Sequence, residues 1–148
     1  MPLPAFTNSG DLPPGVHRAT LREALERFGT GSPRRQVMAL RLEGLYQLAM
    51  TTGHVARFVV FGSFVTDKAE PNDVDLFMLM SDAFDVGQVT GQARLLFDHA
   101  IAQSHFGASV FWLRRLAALG GEHKAIEDWQ IKRDGSQRGI VEIVPETP

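Results

Sequence analysis

The spacing of apolar positions changes several times along this chain, and each change marks an element. Behind Thr20, Leu21, Leu25 and Phe28 recur at helical spacing until Gly29 ends the run, and Thr20 stands three residues before Glu23 as in a capping box. A helix is predicted over 20–28. After the turn Gly29-Thr30-Gly31-Ser32, Pro33 suits a first helical position, and Val37, Leu40, Leu45 and Leu48 form an apolar stripe up to Gly53. This predicts a second helix over 33–51, with Arg34, Arg35 and Arg41 on a solvated face; contact with nucleic acid is the alternative for these arginines. Two short runs rich in β-branched and aromatic residues follow, at 58–61 and 74–80, and both read as buried strands. Leu95, Leu96, Ala100 and Ile101 restore the helical period within 92–105, stopped by Gly107, and 108–113 reads as a third strand. A last helix is predicted over 122–131 and, after the turn at Asp134-Gly135, a final strand over 139–144. Alternating elements of this kind predict an α/β or α+β fold, a small mixed sheet with helices packed on it.

Composition changes this picture little. The 148 residues suit one domain, and residues 1–17, with Pro2, Pro4, Pro13, Pro14, Gly10 and Gly15, read as an extended surface arm. A formal net charge of −2 gives no bulk attraction to nucleic acid or to a membrane. The chain lacks cysteine, so disulfides and thiolate metal sites are excluded, and no apolar run approaches the ~20 residues that span a bilayer. With no signal pattern at the N-terminus, a soluble cytoplasmic protein is expected. His99 and His105 are not at metal-ligand spacing, and Trp112 and Trp129 read as core or interface rather than base-stacking platforms. His123-Lys124 and Lys132-Arg133 read as solvated surface, with substrate or RNA contact as the alternative.

Chemistry concentrates between residues 58 and 80. The first strand runs into Gly62-Ser63, and after a short polar loop the second opens on Asp73-Val74-Asp75. Side chains two apart on a strand share a face, so these carboxylates stand together with Cα atoms about 6–7 Å apart. They repel one another, and burial raises the cost. Mg²⁺, bound through one or two carboxylates and substrate phosphates, relieves the conflict. Gly62 lets the backbone approach a ligand, and Ser63 can open a helix whose free N–H groups face a phosphate. The plainer alternatives are an ordinary Gly-Ser turn and an Asx-type turn helped by Pro71-Asn72.

Strand, Gly-Ser, loop and Asp-x-Asp, in that order, resemble the nucleotidyltransferases of the polymerase-β-like superfamily. Leu12-Pro13-Pro14-Gly15-Val16-His17, Gly62-Ser63-Phe64-Val65-Thr66-Asp67-Lys68 and Gly139-Ile140-Val141-Glu142-Ile143 are similar to a small bacterial branch of it. The resemblance implies a nucleotidyltransferase-like fold, with Gly62 and Ser63 on the triphosphate of an NTP such as ATP and with Asp73 and Asp75 holding Mg²⁺. It implies transfer of a nucleoside monophosphate to a hydroxyl on a small molecule, protein or RNA end, with pyrophosphate leaving. The resemblance permits a protein partner, as in toxin–antitoxin pairs, and at 148 residues little chain remains for an acceptor-recognition domain, which leaves a second subunit to complete the acceptor site.

Two features depart from the family pattern. The strand beside Asp-x-Asp ordinarily carries a third acid, whereas this chain has Ser109 near the expected place. Glu142 is the other carboxylate in a strand-like setting; it reads as a solvent-facing residue of an edge strand, with substitution for the missing acid as the alternative. Asp67 adds negative charge to the phosphate loop, while Lys68 reads either as a phosphate contact or as an exposed lysine. The rival functional reading is therefore a degenerate member that binds nucleotide or a partner without turnover, and a third is a fold used for interaction only.

Overall fold

The computed structural model describes residues 3–146, so Met1, Pro2, Thr147 and Pro148 of the predicted domain lie outside the described residues. Among these, the elements run β1 (Val16–Ala19), α1 (Leu21–Phe28), α2 (Pro33–Met50), β2 (Val55–Phe61), β3 (Val74–Met80), α3 (Gln92–Leu95), α4 (His99–Phe106), β4 (Ala108–Arg114), α5 (Glu122–Glu127) and β5 (Ile140–Ile143). The strands form one mixed sheet in the order β1-β5-β2-β3-β4. β2 lies antiparallel to β3 and β5, while the β3–β4 and β1–β5 pairs are parallel. This is the expected small α+β fold.

Each face of the sheet has its own core. Phe58, Val60, Leu76 and Met78 point toward Ala24 and Phe28 of α1, Met38, Leu42, Leu45 and Ala49 of α2, and Ala102 of α4. On the opposite face Val59, Phe77 and Leu79 pack with Ile140, Ile126 and Trp129. Burial on both faces explains why β3 is an unbroken apolar run after Asp75. Thr20 caps α1, with both capping-box hydrogen bonds formed, and Ser32 caps α2 ahead of Pro33.

Four expectations are corrected. The predicted α2 stripe mixes two faces: Leu45 is buried and Leu48 half-buried, but Val37 is 50% and Leu40 70% exposed, because Met38, Leu42 and Ala49 carry the inward positions. The helix over 92–105 is two helices, since Asp98 accepts from Ile101 N and starts a new one. The proline-rich arm is not only surface: Leu12 is fully buried, Arg27 holds the Leu3 and Pro4 carbonyls, and β1 begins at Val16. Finally, β5 lies between β1 and β2 and is not an edge strand.

Candidate functional site

The candidate site grows from the ends of three adjacent strands. β2 stops at Phe61, whose register partner on β3 is Asp75, and Asp75 in turn pairs with Ser109 on β4. Gly62 then turns the chain at φ +82°, a left-handed conformation with ψ −164° that is essentially restricted to glycine. A Cβ there would lie 1.9 Å from Asp75 Oδ2, so the backbone passes directly over the carboxylate. No larger residue fits. Ser63–Val65 form a single 3₁₀ turn and not the longer helix expected, so the turn offers local N–H groups without a helix macrodipole behind them. The Ser63 hydroxyl faces back across the loop and accepts from Asn72 N at 3.2 Å.

Asp73 and Asp75 come together as expected, although Asp73 immediately precedes β3 rather than belonging to it. Ser109 Oγ donates to Asp73 Oδ2 at 2.9 Å and also lies within hydrogen-bonding reach of Asp75. The Asp75 carboxyl is pushed up to about 7, first by burial and then by the charge of Asp73, with which it also shares a hydrogen bond. Ser109 and the more distant charge of Arg138 oppose that shift. The fold thus holds Asp75 half-buried beside a second acid, where burial and the neighbouring carboxylate both disfavour its charge.

The loop from Gly62 to Asn72 is clamped from below by the start of α2. Ser32 Oγ donates to Ala69 O at 2.9 Å, and Arg34 donates to Pro71 O and, at 2.7 Å, to Asn72 O. Arg35 is only 6% exposed and makes five hydrogen bonds to the carbonyls of Phe28, Phe64, Thr66 and Lys68, at 2.6–3.0 Å. Burial opposes its charge and Asp67 favours it. Arg41 donates to Gly107 O at 3.3 Å. The expected solvated arginine face is therefore a set of backbone clamps, because each guanidinium finds carbonyls that the loops leave unpaired.

Asp67 is directed at the arm, where a Cβ on Gly10 would lie 2.2 Å from its Oδ1, and Asp67 N donates to Gly10 O. Lys68 is exposed; its backbone carbonyl, rather than its ammonium, makes the loop contacts. Glu142 neither faces solvent nor reaches the site. It is 6% exposed, opposite Val59, and takes a bidentate pair from Arg57 at 2.7 and 2.9 Å. The solvent-facing reading of Glu142 fails because β5 is not an edge strand, and substitution for the missing acid fails because Glu142 lies opposite Val59, bound to Arg57 and away from Asp75. Arg138, which no motif singled out, brings positive charge near Asp75 and sits 3.9 Å from Asp11. The segments 12–17 and 139–143 meet as β1 and β5, with Gly139 N donating to Leu12 O, and so serve the sheet.

Among the described residues no group of three or more His, Cys, Asp or Glu side chains converges on a metal position. A closed protein cage is therefore not what these residues build. The pair does suit Mg²⁺ in its usual mode, two carboxylates with the remaining positions left to phosphate oxygens and water. Also among the described residues, no helix is long and apolar enough to cross a membrane.

Residues 4–144 match the model of the DUF6932 family, a family of unknown function, and the chain belongs to that family. No curated protein and no solved structure gives a significant match.

Proposed function

We propose that this chain binds a nucleoside triphosphate with Mg²⁺ and transfers its nucleoside monophosphate to a hydroxyl acceptor. The supporting observation is the forced proximity of Asp73 and Asp75 beneath the Gly62 backbone, where burial and mutual repulsion raise Asp75 to about 7. Such an arrangement costs stability in the free protein and is relieved by a bound cation. Mg²⁺ held there would neutralise charge on the phosphates during transfer. Gly62 and Ser63 provide the close backbone approach for the triphosphate. Asp73 and Asp75 are the metal ligands, Ser109 orients them, and Lys68 is a mobile charge at the rim of the loop. Catalysis is then mostly positioning and charge neutralisation.

A second reading, nucleotide binding without turnover, is favoured by Ser109. The strand position opposite Asp75 carries a hydroxyl, and Glu142, the other strand-borne carboxylate, is tied to Arg57. Incubation with α-labelled NTPs and Mg²⁺ separates the two, read as pyrophosphate release and labelled product. Label transfer that disappears in Asp73→Asn/Asp75→Asn supports the enzyme. Tight nucleotide binding with no release of pyrophosphate for any acceptor supports the binding module, and no binding at all overturns both.

A further inference from the structure

A cleft of about 570 Å³ opens on the same sheet face as Asp75, beneath Leu119 and beside Trp129. Its floor is Phe77 and Phe111, which are register partners. Phe77 stands two residues along β3 from Asp75, and Phe111 two along β4 from Ser109, so the floor begins about 7 Å from Asp75. The Trp129 ring stands over both, with centroids 5.1 Å from Phe77 and 5.0 Å from Phe111. The volume lies within the range of about 300–1,000 Å³ typical of small-molecule sites. Leu119 is 90% and Leu113 37% exposed, so apolar side chains reach the mouth of the cleft.

We infer that this cleft holds the body of the acceptor, a small aromatic compound bearing the hydroxyl; this rests on the nucleotidyl-transfer reading of the Asp73–Asp75 site. Two observations point there. First, Gly62 follows β2 and the cleft lies toward β4, so the phosphate turn and the cleft flank Asp75 from opposite sides of β3. In-line displacement requires the attacking and leaving oxygens on opposite sides of the phosphorus. Second, the one carboxylate lining the cleft, Asp128, is engaged by Lys124 at 2.9 Å. A nucleobase would leave its polar edge unpaired against Phe77, Phe111 and Trp129, whereas an apolar ring loses nothing there. In the step itself the acceptor oxygen forms a bond to the α-phosphorus and the bond from that phosphorus to the bridging oxygen of the β-phosphate breaks. Pyrophosphate leaves with the electron pair, and the hydroxyl proton passes to water.

The test is a titration of the ¹⁵N-labelled full chain with 2-phenylethanol, 4-methylphenol, N-acetyltyrosinamide and adenosine, read at the two tryptophan indole resonances. The ring-bearing hydroxyl compounds should shift Trp129 saturably and more than Trp112, which also lines the cleft but whose indole N–H is held by Phe97 O. A preference for N-acetyltyrosinamide over the free phenol and alcohol identifies a tyrosyl side chain as the source of the ring. Leu119→Asp, at an exposed position, should weaken the shift at least tenfold with unchanged thermal stability, and Asp73→Asn/Asp75→Asn should leave it intact. No Trp129 shift with any hydroxyl probe, or a stronger shift with adenosine, overturns the inference. If the probes bind the cleft while no NTP binds, the nucleotide reading fails and the aromatic site remains. If NTP–Mg²⁺ binds and the probes do not, the cleft inference alone falls.

Discussion

Replacing Asp75 by Asn should stabilise the metal-free protein at alkaline pH. The folded-state value of Asp75 is raised from the ordinary 3.8 to about 7, with burial as the main cause and Asp73 as the second. A raised carboxyl favours the folded state fully only below its unfolded value; that contribution is lost as pH rises through about 7. A shift of roughly three units at about 1.4 kcal/mol each corresponds to about 4 kcal/mol at pH 8. Partial exposure and sharing of the proton with Asp73 reduce this to about 2 kcal/mol. Asparagine keeps the shape, stays neutral, and can donate to Asp73. Thermal unfolding in chelator at pH 8 should therefore show Asp75→Asn about 4–8 °C above the wild type. The gain should shrink as pH falls and vanish near pH 4, where the wild-type carboxyl is protonated in the folded state and half-protonated in the unfolded chain. Added Mg²⁺ should raise the wild type and leave the variant unmoved. A variant equal to or less stable than the wild type at pH 8 would refute the claim that the pair is held against its own repulsion.

Three further substitutions probe the surroundings. Gly62→Ala should destabilise the fold by about 2–3 kcal/mol in denaturant titration, since it combines a positive φ with a Cβ 1.9 Å from Asp75; a neutral outcome would mean the turn is not fixed as described. Arg35→Lys should cost about 3 kcal/mol and speed hydrogen exchange at residues 64–68, because an ammonium cannot satisfy the four carbonyls the guanidinium spans. Glu142→Gln should cost about 2 kcal/mol by removing the buried carboxylate partner of Arg57, which keeps only Glu122 at 4.0 Å as a charged neighbour. If it instead abolished turnover at unchanged stability, Glu142 would be a catalytic acid after all.

The acid pair was legible in the sequence because it depends on local facts: a strand period of two and a glycine before a serine at a strand end. What the sequence could not carry was register and burial. Ser109 stood out only as a missing acid, and its position opposite Asp75 and its hydrogen bond to Asp73 follow from β4 pairing in parallel with β3. Arg35 looked like one more surface cation. Its role depends on a loop 30 residues away whose carbonyls have no strand or helix partners, and no spacing rule within α2 encodes that. The α2 stripe failed for a different reason. Val37-Leu40 and Met38-Leu42 both fit helical spacing, and only the position of the sheet decides which pair turns inward. Asp98, by contrast, was available as a signal: an N-cap residue ahead of His99–Phe106, with Gly107 in the left-handed conformation closing that helix. Glu142 was misplaced because β5 is last in sequence yet second in the sheet, a topology set by β1 emerging from within the proline-rich arm.

Calorimetric titration of the wild type with each of the four NTPs in Mg²⁺, beside Asp73→Asn/Asp75→Asn, tests the central claim most directly. Binding of at least one NTP by the wild type that is lost in the double variant, and lost from the wild type in chelator, is the expected result. Heat that is the same in both proteins, or none in the wild type with any NTP, would contradict the assignment of this site to a metal-bound nucleotide.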